Sequence, residues 1–414
     1  MTARTSSAIG MAHATPASGQ PYRYRGESVT RAFSEAVAEA ERLITGADFV
    51  RTEQDLAEGY EYLAGSVRAC IQAAFDYDLE RPLFINATHQ FARQGLDNPD
   101  AIYFHAYISD ACEYVVTGRR GTTADLSFQV MNGNYSPVEA PDSVAAFDDR
   151  AIEIAPDGSF EIRFGPARDD APENYFVLAP GSSILIVREV YSDWNTEDRG
   201  ELRIHRVDTL GTVPAPASLE RVAKRYAVAA KMLVGRVKTW FAFPEWFTYK
   251  EPVNTLTSPQ VTPGGLSSQY SSIGHYDLGP DQALVVTVPK ADCAYQAIQI
   301  GSAWYISTDY ENHQTSLTAA QSQVDPDGML RYVVSEKNPG IANWLETTGH
   351  SRGVMMLRWQ RLSRGLTAED GPRVEVVEVD ELPDVLPHHT PISPAEYAER
   401  ISERQVGVAR RMIS

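Results

Sequence analysis

Between positions 303 and 317 the chain reads AWYISTDYENHQTSL, and its second half is crowded with side chains that can do chemistry. Asp309, Glu311 and His313 alternate with Tyr310 and Asn312. A histidine beside carboxylates titrates near neutral pH, so these three are the expected acid/base set, with Asp309 or Glu311 leading and His313 assisting. Trp304, Tyr305, Tyr310 and Asn312 would position a substrate, joined by Arg358, Trp246 and Trp344 from other segments. Hydrolysis, hydration or elimination suits such groups and needs no organic cofactor, so none is expected. No metal is expected either. Its best ligand set would be His275, Asp277, His313 and His350, and no HxH or HExxH spacing gathers them. The plainer alternative for 309–314 is a solvated polar loop.

The elements that must hold these residues alternate between strand and helix patterns. Trp304, Ile306 and Thr308 would share one face of a strand, turned to a core. Tyr305, Ser307 and Asp309 would share the other, turned to solvent or a cleft. Residues 28–98 read as a helical cap. Val29, Phe33, Val37, Ala40 and Ile44 form one stripe, with Ser28 as cap and Gly46 as stop. Thr52 and Asp55 have capping-box spacing ahead of a second helix, and a short helix is expected near 89–93. Residues 99–213 then give strand-like runs separated by turn residues. Residues 214–274 give a helix from Ser218, an aromatic stretch TWFAFPEWFTY and a Gly/Ser-rich loop at 261–272 that reads as a lid. Strands return over 275–385. Residues 386–414 form a last helix, with Ser393 and Glu396 as its capping box and Pro394 at its first position.

The two strand regions look alike. VVTGRRGTTADLSFQV at 115–130 aligns without a gap on VVTVPKADCAYQAIQI at 285–300, an offset of 285 − 115 = 170. The same offset carries Asp157-Gly158 onto Asp327-Gly328, Arg188 onto Arg358 and His105 onto His275. With a one-residue slip, Asn174-Tyr175 meets Asn343-Trp344. Matches in this order at one offset predict a duplication. The expected fold class is mainly β with helices, α+β: two tandem jelly-roll-like antiparallel β-sandwiches, an N-terminal helical cap and a C-terminal helix.

The second copy resembles bacterial proteins with domain of unknown function 1214, which is often paired with domain of unknown function 1254. The resemblance covers roughly 280–362 and rests on 304–308, Asp327-Gly328, Asn343-Trp344-Leu345 and Arg358-Trp359; a weaker copy lies at 100–195. It implies a jelly-roll-like sandwich and brings no established activity or catalytic residues.

Features repeated in both copies point to the fold. Asp157-Gly158 and Asp327-Gly328 suit hairpin turns, and the two Asn residues suit loop capping. Arg188 and Arg358 suit buried structural cations, although either would also fit a substrate carboxylate or sulfate. Trp240, Phe241, Phe243, Trp246, Phe247 and Tyr249 exceed what one helix end needs. They either pack the helix against both sandwiches or line an apolar pocket between the halves.

Composition narrows the function classes. The 414 residues are 43% hydrophobic and 22% charged, ordinary for a globular protein, and 37 basic against 55 acidic residues leave a net charge of −18. That balance disfavours nucleic acid and anionic membranes. No run approaches the roughly 18 apolar residues of a membrane span. The start lacks the apolar core of a secretory signal, so a floppy tail at 1–27 and a cytoplasmic location are expected. Cys70, Cys112 and Cys293 are widely spaced and read as buried thiols. The expected partner is a small-molecule ligand. A homo-oligomer through the C-terminal helix, with Tyr397, Ile401, Val408 and Met412 on one face, is a further expectation. Two functions fit: an enzyme acting by acid/base chemistry on a bulky apolar or glycosylated small molecule in a pocket of the second sandwich, or a non-catalytic carbohydrate- or lipid-binding protein.

Overall fold

The computed structural model describes residues 26–261, 265–266 and 269–413. The expected tail lies almost wholly outside the described residues, and the expected lid at 261–272 lies partly outside them. The fold is α+β, with mostly antiparallel sheets and few helices.

Helices α1 (Arg31–Thr45) and α2 (Glu53–Asp76) pack with α3 (Leu219–Phe247) around Ala40, Ile44, Tyr62, Leu233 and Val237. The Thr52/Asp55 capping box closes the start of α2. The start of α1 departs from expectation: Thr30, not Ser28, precedes the helix, and its side chain makes no capping bond. The expected helix near 89–93 is a series of turns, and α3 takes in most of the aromatic stretch, running through Pro244 to Phe247.

Eight strands follow α2: β1 (Ala101–Tyr107), β2 (Tyr114–Arg119), β3 (Asp125–Met131), β4 (Ser143–Asp148), β5 (Ser159–Gly165), β6 (Tyr175–Val177), β7 (Ile184–Val190) and β8 (Glu201–Arg206). They form sheets of order β1-β7-β3-β4 and β6-β5-β2-β8, which share one core through Phe104, Val116, Phe128, Ile162 and Val187. After α3 come β9 (Thr255–Leu256), β10 (Gln260–Val261), β11 (Tyr270–Asp277), β12 (Gln282–Pro289), β13 (Cys293–Gly301), β14 (Ser316–Thr318), β15 (Met329–Ser335), β16 (Trp344–Glu346), β17 (Arg352–Leu362) and β18 (Arg373–Glu378). Their sheets run β10-β11-β17-β13-β14, with β9 also on β11, and β16-β15-β12-β18. Leu284, Val286, Ile298, Leu357 and Trp359 fill the core between them.

From β1 and β11 onward the two sets have the same sheet orders, strand for strand. One pairing in each set is parallel, β5 with β6 and β15 with β16, where wholly antiparallel sheets were expected. Register also revises one residue match. His105 lies opposite Ile186 on β7, whereas His275 lies opposite Val354 on β17. The residue 170 positions after Ile186 is Met356, and it faces Ile273. The strand β11 therefore slides by two relative to the offset, and the two histidines are not counterparts.

The short helix α4 (Leu382–Val385) leads to α5 (Pro394–Ile413), which starts with the expected Ser393/Glu396 box. The face of α5 expected to meet a partner is largely used within the chain. Val408 joins the first core, Tyr397 packs on Trp344 with ring centroids 5.2 Å apart, and Met412 stays exposed. Among the described residues no helix is long and apolar enough to cross a membrane. Of the three free cysteines only Cys70 is fully buried; Cys112 and Cys293 are half-buried, short of the expectation for them.

Candidate functional site

Each β-strand has two faces, and on β7 and β17 both are covered. On β7, Leu185 and Val187 point into the first core, while Ile186, Arg188 and Val190 point the other way. On β17, Met355, Leu357 and Trp359 fill the second core, while Met356, Arg358 and Gln360 point out. These outward faces meet each other and the flank of α3. Between them lies a cavity of about 140 Å³. Trp240, Phe243 and Leu266 form much of its apolar wall, and Tyr103, His105 and Asp97 add polar edges.

The wall is built from pairs 170 residues apart. Gly95 and Gly265, Leu96 and Leu266, Tyr135 and Tyr305, Ile186 and Met356, and Arg188 and Arg358 all line it. Tyr135 sits 5.1 Å from Trp240 and Tyr305 sits 6.4 Å from it, ring centroid to centroid, so the two tyrosines bracket the same indole. Gly95 has φ +62°, and a Cβ there would come within 2.6 Å of the Trp240 ring, so glycine is required where the chain crosses that wall.

The polar members differ sharply between the two halves. Arg358 donates to the Gln299 side-chain oxygen and to the Leu96 carbonyl at 2.6 Å. Gln299 in turn donates to the Asp97 carbonyl at 3.0 Å. Arg188 and Gln129 are the corresponding pair in the first half. Gln129 donates to the Gly265 carbonyl at 2.7 Å, yet its own oxygen is buried without a partner, as is one terminal nitrogen of Arg188. Arg188 lies over the Tyr103 ring at 5.6 Å and forms no ion pair among the described residues. Burial holds its guanidinium below the ordinary arginine pKa. His105 shares the cavity with an unpartnered Nδ1, and burial, helped by Arg188 and Arg236, pushes its pKa down to about 3, so the ring is neutral. Asp97 is engaged elsewhere, accepting from the Ser307 amide at 3.1 Å and its hydroxyl at 2.8 Å, and burial raises its pKa.

Of the residues expected at a site, Tyr305 and Arg358 line this cavity and the others lie elsewhere. The segment 304–308 is a turn, not a strand, because Tyr305 takes φ +56° after β13 ends at Gly301. Trp304 therefore leaves the sheet and plugs the helical core. It is 1% exposed, donates to the Asp55 carbonyl at 2.8 Å and packs on Phe49 at 4.8 Å. Tyr305, expected to look outward, is buried. Tyr310 is also buried, edge-on to Trp194, and belongs to the first core. Trp344 donates to the Ser335 carbonyl at 3.0 Å inside the second half. Trp246 packs behind Phe243 at 5.3 Å, one layer away from the cavity.

The acid/base set is not assembled. Asp309 closes a tight turn, accepting from the amides of Glu311 at 3.2 Å and Asn312 at 3.1 Å and from the Asn312 side chain at 2.9 Å. Asn312 also accepts from Gln405 on α5. Glu311 is half-buried and forms no ion pair among the described residues. His313 meets a different carboxylate, Glu346, at 3.0 Å, and Tyr397 donates to that same carboxylate at 2.8 Å. The four residues considered for a metal are likewise apart. His275 bonds the Glu251 carbonyl and His350 bonds Glu58 at 2.7 Å, while Asp277 is exposed. Among the described residues no group of three or more His, Cys, Asp or Glu is placed to hold an ion.

A crystal structure of an uncharacterised protein from Burkholderia cenocepacia matches 84% of this chain and 96% of its own, at 30% sequence identity and a TM-score of 0.76. The chain belongs to that protein's family. A protein from Vibrio parahaemolyticus, 13% identical over 83% of this chain and 100% of its own, has a TM-score of 0.41, too low to carry an argument. No family model matches the chain, and no curated protein matches it. For this family, what can be argued about the site comes from the residues themselves. Sequence reasoning had named Arg188, Arg358 and the 239–249 aromatics. It placed Arg358 among the substrate-positioning residues but read Arg188 as a structural cation because it repeats, and it missed Tyr103, Tyr135, His105 and Gln360. The available signal was alternation: Arg358 and Gln360 sit on the same side of a strand whose other side carries Met355, Leu357 and Trp359.

Proposed function

We propose that this chain binds a small organic molecule in the cavity between its two β halves. The observation that carries the reading is a cavity with an aromatic wall and a buried arginine that forms no ion pair among the described residues. A few placed polar groups in a mostly apolar concavity are the ordinary make-up of a ligand site. The volume, about 140 Å³, limits the part held inside to roughly one ring, since an engineered cavity of about 150 Å³ takes up benzene. Of the two functions expected from sequence, the non-catalytic one fits this cavity better, with a ligand smaller than a sugar chain or lipid. We infer also that the halves arose by duplication of one jelly-roll-like sandwich, related to domain of unknown function 1214. Three things support the duplication: the equal strand orders, the paired wall residues, and two matching asparagine clamps. Asn174 accepts from the Glu153 amide and donates to the Glu153 and Glu161 carbonyls; Asn343 does the same with Gln323 and Arg331.

Mass spectrometry of small molecules released from the purified chain tests the binding reading. Wild type is expected to release a compound in near-stoichiometric amount that the cavity-filling variant Ile186→Trp does not retain. Equal release from both would reject it. The second reading, an acid/base enzyme using Asp309, Glu311 and His313, has one observation in its favour: a half-exposed histidine, His313, in contact with a carboxylate, Glu346, at 3.0 Å. Turnover of any compound bound by wild type, lost in His313→Gln and in Glu346→Gln, would favour it over simple binding.

A further inference from the structure

We propose that the ligand is an organic monoanion, a carboxylate on a ring-sized apolar body, and that Arg188 is its anchor. The proposal rests on the reading of the cavity as a ligand site and adds the ligand's charge and orientation.

The argument starts from the broken likeness between the halves. Arg188 and Arg358 stand on matching strands, β7 and β17. Ser127 of β3 lies opposite the first and Ala297 of β13 opposite the second, again 170 apart. Each arginine has a glutamine two residues further along that neighbouring strand, Gln129 and Gln299. In the second half the pair is closed: Arg358 meets Gln299 and the Leu96 carbonyl. In the first half it is open, with a donor of Arg188 and the acceptor of Gln129 both buried and unmatched. A cation removed from water without a counter-charge costs several kcal/mol, so a fold keeps one where something else supplies the charge. Among the described residues no carboxylate pairs with Arg188: Asp125 acts on it only from a distance and lies nearer Arg361, at 3.9 Å. Asp97, the carboxylate in the cavity wall, spends its oxygens on Ser307.

One free guanidinium calls for one anionic group. A carboxylate matches the guanidinium fork by two parallel hydrogen bonds. A diphosphate would want both arginines, and Arg358 is already bonded. The remaining orphans, His105 Nδ1 and the Gln360 side-chain oxygen, stand ready for a polar substituent on the ligand. Trp240, Phe243, Tyr135 and Tyr305 surround the space left for an apolar ring.

Calorimetric titration of the full chain with sodium benzoate and with benzamide, which share the ring and differ in charge, tests this. Wild type is expected to bind benzoate at least tenfold more tightly than benzamide. Arg188→Met should lose that preference while still binding benzamide, and Arg188→Lys should keep part of it. Because Arg188 has the Tyr103 ring against it but no ion pair among the described residues, Arg188→Met, which keeps an apolar contact with that ring, should unfold at the same temperature as wild type or higher; a large fall would assign the arginine to the fold and overturn the proposal. Equal affinity for the two probes in wild type, or a benzoate preference that survives Arg188→Met, would overturn it and leave the cavity reading standing. Binding of neither probe would overturn both.

Discussion

Arg188 and His105 share a cavity edge but answer to different physics. For Arg188 the missing term is a counter-charge; for His105 burial has already removed the charge. The folded histidine titrates at about 3 against an ordinary value of 6.5. Between those values the unfolded chain holds the proton and the folded chain does not, so stability rises with pH there and is lost as pH falls below about 6.5. The slope from this one group is at most about 1.4 kcal/mol per pH unit. Melting curves of wild type and His105→Gln between pH 4 and pH 7, about the range the two values span, are expected to converge at the acid end, with the variant flatter. Parallel curves would show that His105 is charged or solvated in the folded chain. Asp309 gives the opposite lesson. Its carboxylate holds a turn, and Asn at the same place keeps an acceptor for both amides. Asp309→Asn should therefore cost no more than about 1 kcal/mol in urea unfolding and leave ligand binding unchanged. From sequence, Asp309 and His313 looked like partners because they are close along the chain. What each bonds is decided by elements distant in sequence: Gln405 on α5 meets Asn312, and Glu346 on β16 meets His313.

At the scale of elements, most strands and helices were legible because their signals are local. Runs of apolar residues mark β7 and β17, and Thr52 with Asp55 marks the start of α2. Removing that cap, Thr52→Ala, should cost about 1 kcal/mol by denaturant titration. The segment 304–308 was misread for an equally physical reason. It alternates like a strand, and nothing local announces that Tyr305 turns to positive φ and sends Trp304 into the helices. Gly59 of α2 records the other side of that contact: a Cβ there would lie 2.4 Å from the Trp304 ring. Trp304→Ala is expected to cost about 3–5 kcal/mol, and Gly59→Ala to destabilise by forcing the indole to move. Stability within 1 kcal/mol of wild type for Trp304→Ala, well under that estimate, would place the indole outside the core.

For the whole molecule, the unexpected feature is that the two sandwiches are joined through the faces that a solitary sandwich would show to water. Those faces carry Arg, Gln, Tyr and His in place of charged surface residues, and a pattern reading of either half alone cannot say what covers them. The likeness of the two strand regions was legible; its consequence, that residues 170 apart meet across one cavity, was not, because it depends on how the halves dock. The C-terminal helix α5 strengthens the docking. Arg404 donates to the Tyr310 and Ser316 carbonyls at 2.9 Å each and lies 4.6 Å from the Trp194 ring. Arg404→Met leaves those carbonyls unmatched and should cost about 2–4 kcal/mol, with calorimetry still showing one transition. The central claim, a ligand site between the halves, is tested most directly by methyl NMR of the chain labelled at the methionine methyls during addition of benzoate. Met356 is in the cavity wall, whereas Met355 faces the second core. The account predicts a saturable shift of the Met356 signal, identified by its loss in Met356→Leu, with Met355 and Met329 unmoved. A saturable shift at another methionine with Met356 unchanged, or no shift at any, would contradict it.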